Sequence, residues 1–226
     1  MTTPAPTQTT ETARRLRGFG PVGLLTLVVI LASSAAGFVI TAALVLIWAR
    51  SSETPLRDLG FRAPNSLVMT IVAGLACGIV LKLFLKVIVM PLIGAPAINT
   101  SYQYLVGNTA ALPWIVAKML TGAAFGEEIF FRGYLFERMG ALFGRGRAAL
   151  AGTVLLSAAL FAIAHYPDQG IPGMEQAAMT GLVFGATYAW RKQIWLPIFM
   201  HAGYDITAIA MIYGGWEEAV ARLVFH

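Results

Sequence analysis

Apolar residues run along this chain in long blocks separated by short polar, Gly- and Pro-containing stretches, and few blocks alternate as a half-buried strand would. The first block runs from about Pro21 to Ala49, and the second from Ser66 to about Ile93, where Pro91, Gly94 and Pro96 end it. Both exceed the ~20 residues a helix needs to cross a bilayer. Ala95 to Leu112 is a polar connector with room for a short interfacial helix. Pro113 suits the first turn of a third helix reaching about Met139. A fourth span is expected over Ala148–His165, a loop over Tyr166–Gly173, and a fifth span over Met174–Trp190. The sixth runs from Trp195 to about Tyr213. Small residues in the fifth, among them Ala177, Gly181 and Gly185, suit close helix contact. The fold class is therefore all-α, a polytopic transmembrane bundle of about six to eight membrane-associated helices around a central polar cavity.

Residues 1–20 lack an apolar period and end in Arg14, Arg15 and Arg17, which predicts a disordered basic tail. The first block is too long for the core of a cleavable signal. The helical domain is expected over residues 21–215, followed by a short interfacial segment over 216–226. No internal repeat is evident, which disfavours a transporter built from duplicated halves.

Composition agrees with a membrane location: 58% of residues are apolar and 12% charged, against about 25% charged in soluble domains. A net charge of +5 is spread over short loops, which excludes a nucleic-acid surface and leaves membrane lipids as partners. Arg50, Arg57 and Arg62 mark the first loop, Arg138, Arg145 and Arg147 the third, and Arg191 and Lys192 the fifth. These odd loops should be cytoplasmic in a multi-pass protein of the cell membrane. The same scheme puts the basic amino terminus on the opposite side, a conflict within the pattern. The single Cys77 allows neither an internal disulfide nor a multi-Cys metal site. Lys82 and Lys86 are expected to snorkel to headgroups, and Trp48, Trp114, Trp190 and Trp195 to form an aromatic belt.

Against that background Glu127 and Glu128 stand out, because a charge inside a membrane span costs several kcal/mol and marks a functional site by default. In a helix Glu128 and Arg132 share a face as a structural ion pair, and Glu127, turned about 100° away, is free for other work. His165 and His201 lie within or at the end of apolar spans, and Asp205 is one turn after His201. Imidazole and carboxylate together can hold and deprotonate a water, with Glu127 as general base and a His or a metal polarising the carbonyl under attack. That is peptide hydrolysis without a Ser or Cys nucleophile. Counted along straight helices the groups differ in depth, with His165 at the far end of its span, yet a working site needs them on one water-filled cavity.

Three motifs occur in order: Glu127-Glu128-x-x-x-Arg132, Phe161-x-x-x-His165 and His201-x-x-x-Asp205. Together, over roughly residues 66–213, they resemble the CPBP family, the CAAX proteases and bacteriocin-processing enzymes also called Abi, whose eukaryotic members are the Ras-converting CAAX endopeptidases. The resemblance implies an intramembrane endopeptidase acting on a membrane-associated, prenylated or small-peptide substrate. Glu127 would activate water with help from His165, His201 and Asp205 would stabilise the oxyanion, and Glu128 and Arg132 would hold the first motif. The family more commonly has Asn where Asp205 stands. Its members have been described both as metalloproteases and as metal-free glutamate proteases, and Glu127, His165 and His201 would suit a zinc ion with an open position. A non-catalytic scaffold or bacteriocin-immunity protein of the same fold is the alternative.

Overall fold

Apolar runs become helices in lipid because a helix satisfies its backbone N–H and C=O groups within one segment. The computed structural model describes residues 10–225, which are helical with connecting turns and contain no strand. In chain order the helices are α1 (Glu11–Arg17), α2 (Pro21–Ser33), α3 (Phe38–Ser51) and α4 (Leu67–Leu92). There follow α5 (residues 112–143), α6 (147–169), α7 (171–191), α8 (Trp195–Tyr213) and α9 (Glu217–Ala221). By length and composition α4, the 147–191 stretch and α8 can each cross a membrane. The chain is an all-α helical membrane protein.

The stretch 147–191 is helical throughout except at Gly170, whose φ of 62° and ψ of −160° break the rod. A straight helix of that length would span about 67 Å, twice a bilayer core. Instead α7 folds back on α6: a Cβ on Gly181 would sit 3.0 Å from the Ala158 Cα, and one on Gly185 would sit 3.3 Å from Val154. The loop expected over Tyr166–Gly173 is therefore mostly helix, with a single glycine making the reversal.

The expected first span is also a hairpin. Helices α2 and α3 reverse at Ser34–Gly37, where Gly37 has φ 113° and Ser33 Oγ lies 3.1 Å from Thr41 Oγ1. At the open end the Trp48 indole donates to the Leu16 carbonyl and the Thr10 hydroxyl donates to Glu53. Arms of 13 and 14 residues rise about 20 Å each, too little for a ~30 Å core. The sequence conceals this turn because its residues are small and uncharged. Trp48, expected in an aromatic belt, is buried against Tyr134.

The tail expectation also changes. Residues 1–9 lie outside the described residues, but Glu11–Arg17 is helix. The Thr10 side chain caps it, Glu11 sits in its first turn and Arg14, Arg15 and Arg17 in its last, which suits the helix dipole at both ends.

Contacts sort the chain ends into two rims. On one, Arg17 meets Asp58 at 3.2 Å, Arg138 donates to the Arg17 carbonyl, and Ile194 N–H donates to the Gly60 carbonyl. On the other, Gly107 N–H donates to the Tyr213 carbonyl and Ser101 to the Asp168 carbonyl. Because α2 and α3 form a hairpin, the amino-terminal arginines share the first rim with the basic loops. The charge conflict noted above disappears.

Helices α4 and α8 pair extensively, with Gly74 and Gly78 on α4 and Gly203 on α8 at the crossing. A Cβ on Gly78 would run into the backbone of Met200 and Tyr204, which cannot yield as a side chain can. Gly78→Val should destabilise the bundle by about 1–3 kcal/mol or more, read as a lower melting temperature in detergent. An unchanged melting temperature would contradict this packing.

Candidate active site

Three helices supply the three motifs: α5 the two glutamates and Arg132, α6 Phe161 and His165, α8 His201 and Asp205. Residues 119–127 and 129–134 of α5 wind as π-helix. This wider winding is concentrated at functional sites in helices generally. Both Glu127 and Glu128 reach His201 on α8, at 4.0 and 2.9 Å.

Glu128 and Arg132 are fully buried and paired at 2.8 Å. Arg132 also donates to the Gly181 carbonyl on α7, and its guanidinium stacks 4.6 Å from the Phe161 ring centroid. The expected ion pair is present, and it carries a further load: Glu128 Oε1 lies 2.9 Å from His201 Nδ1. Since an ionised carboxylate only accepts, Nδ1 carries the proton, and Nε2 faces Asp205 at 3.6 Å and Glu127 at 4.0 Å. His165 is fixed in a similar way. Its Nδ1 lies 2.8 Å from the Phe161 carbonyl, which also only accepts, so Nε2 is left with its lone pair.

Glu127, His165, His201 and Asp205 all line one cavity of about 710 Å³. Glu127 Oε2 and Asp205 Oδ2 are buried there without a protein hydrogen-bond partner. Orphaned acceptors are rare in folded proteins and point to something the cavity is built to hold. The depth mismatch counted along straight helices is relieved, since α6 continues to residue 169 and His165 sits a turn inside its end.

Among the described residues no three His, Cys, Asp or Glu side chains are grouped to hold a metal ion. Glu128 on His201 Nδ1 leaves Nε2 facing the cavity.

Sequence reasoning missed part of the cavity wall. Lys82, expected to snorkel, is 7% exposed and donates to Gln176 Oε1 at 2.7 Å. Lys86 is equally buried and pairs with Glu217 at 3.0 Å. Tyr204 donates to the same Gln176 oxygen. Two signals were available: Lys82 is fifteen residues into α4 and ten from its end, too deep for easy snorkelling, and Gln176 is an isolated amide among small residues.

Residues 109–207 match the model of a family described as type II CAAX prenyl endopeptidase Rce1-like. This motif-bearing segment is similar to the CAAX-protease family, as its motifs led one to expect. No curated protein and no solved structure matches the chain. The CAAX-protease segment contains every motif residue named above. The match supports a CAAX-type intramembrane protease in general, a class whose substrates are peptides or proteins in the membrane.

Proposed function

We propose that this chain is a multi-pass endopeptidase of the cell membrane. It cuts near the C-terminus of a prenylated or small-peptide substrate with a water activated by Glu127 and His165. The observation that carries the proposal is the meeting of four side chains from three helices on one cavity, two of them with unpartnered carboxylate oxygens. The basic rim would face the cytoplasm, in keeping with the charge bias of membrane loops.

In this mechanism a water sits between Glu127 and His165 Nε2. Its oxygen attacks the scissile carbonyl carbon as its proton passes to Glu127. His201, with three carboxylates within 4.0 Å, acts as an imidazolium: Nδ1–H rests on Glu128 and Nε2–H meets the oxyanion. When the intermediate collapses, Glu127 returns the proton to the leaving nitrogen and the C–N bond breaks. An ionised Asp205 cannot donate to an oxyanion, so its part is to accept from Nε2–H and hold the ring in place before substrate arrives.

Two outcomes follow for position 205. Asp205→Asn restores the residue common in the family and should keep cleavage within about tenfold of the parent, whereas Asp205→Ala removes the ring's partner and should fall by about 10- to 100-fold. Steady-state cleavage of a prenylated C-terminal peptide in lipid vesicles reads both. An alanine variant as active as the parent would refute the assignment.

The proposal as a whole is tested with the parent protein in the same assay, with and without chelator. Cleavage indifferent to chelation is expected. Loss on chelation would transfer the mechanism to a metal, and failure to cut any peptide would favour a non-catalytic scaffold.

A further inference from the structure

Lys82 plays no part in the proposed chemistry, yet its ammonium lines the same cavity at 7% exposure. Its partners are neutral: the Gln176 side-chain oxygen, and the face of the Tyr204 ring 4.8 Å from Nζ to centroid. Among the described residues it has no carboxylate at ion-pair distance, whereas Lys86, one turn further along α4, has Glu217. A buried charge without a counter-charge is expensive, and burying one is sustained by pairing it. An ammonium has three N–H donors and Gln176 occupies one. The site therefore lacks an anion.

We infer that Lys82, positioned by Gln176 and Tyr204, binds the C-terminal carboxylate of the peptide substrate. The inference rests on the peptidase reading and names a subsite for it. Lys82 and Tyr204 line the same cavity as Glu127, His165, His201 and Asp205, so the cation shares one space with the reaction centre. Asn99, Tyr102 and Glu217 line the cavity as well. Glu217 is held there by Lys86, the Asn99 backbone and Gln103, so it is already paired and cannot serve Lys82. Two or three residues of extended peptide span about 7–10 Å, so an anchored terminus would set which bond lies over the catalytic water.

The test uses a prenylated peptide with a free C-terminal carboxylate and the same peptide ending in an amide. Binding is followed by fluorescence anisotropy and turnover by kcat/KM, both on the full chain in vesicles. The parent should prefer the acid by about tenfold or more, as a charge-assisted hydrogen bond would give. Lys82→Met should lose that preference, with thermal melting on the same preparation showing that it is folded. Gln176→Glu keeps the lysine but pairs it internally, and should lose the same preference; it carries the test if Lys82→Met does not fold. Equal handling of acid and amide by the parent, or a preference that survives both substitutions, overturns the inference and leaves the peptidase reading intact. Acid-selective binding that depends on Lys82 without any cleavage would support the subsite and sink the peptidase reading instead.

Discussion

Glu127→Gln should lower kcat by about 10²- to 10⁴-fold, the usual worth of a positioned general base, while leaving the fold intact. The substitution preserves shape and volume in a side chain that is 9% exposed, and removes the ability to take a proton. It breaks no short contact, since the nearest ionic neighbour of Glu127 is His201 Nε2 at 4.0 Å, and Oε2 has no hydrogen-bond partner to lose. Kinetics and thermal melting on the same preparation separate the two effects. Turnover should collapse at an unchanged melting temperature. A variant that unfolds would show instead that Glu127 is a structural member of the cluster.

Arg132→Ala should do the reverse, and its main effect is on folding. It leaves Glu128 buried at 0% exposure with the His201 ring as its one remaining partner, and deletes the bond to the Gly181 carbonyl and the stacking on Phe161. Breaking a buried pair from one side costs about 3–5 kcal/mol, a large share of the roughly 5–15 kcal/mol that holds a typical domain together. Little folded protein should survive extraction into detergent. Arg132→Lys should not rescue it, because a single ammonium cannot reach Glu128 and Gly181 at once as the two guanidinium nitrogens do. The double variant Glu128→Gln with Arg132→Met leaves no unpaired charge and should regain much of the folding. It should remain inactive, since His201 then lacks the carboxylate that fixes its Nδ1 proton. An Arg132→Ala protein that melts and cleaves like the parent would contradict this account.

Much of the site was legible because helix spacing is a strong constraint. Glu128 and Arg132 four apart, and His201 and Asp205 four apart, could be placed on shared faces without coordinates, and each pair is in contact. The contact from Glu128 to His201 was not legible. It joins residues 73 apart in sequence and depends on π winding in α5, which has no signal in residue type. The two hairpins escaped for a related reason. The first reversal is made by small uncharged residues, Ser34, Ala35, Ala36 and Gly37, which read as a continuation of an apolar run. Lys82 and Lys86 were misplaced because a lysine four residues from another looks the same whether it reaches for headgroups or for Gln176 and Glu217. Charge bias along the loops pointed to the hairpin in advance: the amino-terminal arginines conflicted with a six-span count, and the turn between α2 and α3 removes that conflict.

The central claim is that Glu127 and His165 act together on one water. Measuring kcat for Glu127→Gln, His165→Ala and the double variant in a single lipid preparation tests it most directly. Groups that act as a unit lose most of their rate when either is removed, so the double variant should be about as slow as the slower single one. Losses that multiply, or a Glu127→Gln protein that turns over like the parent, would contradict it.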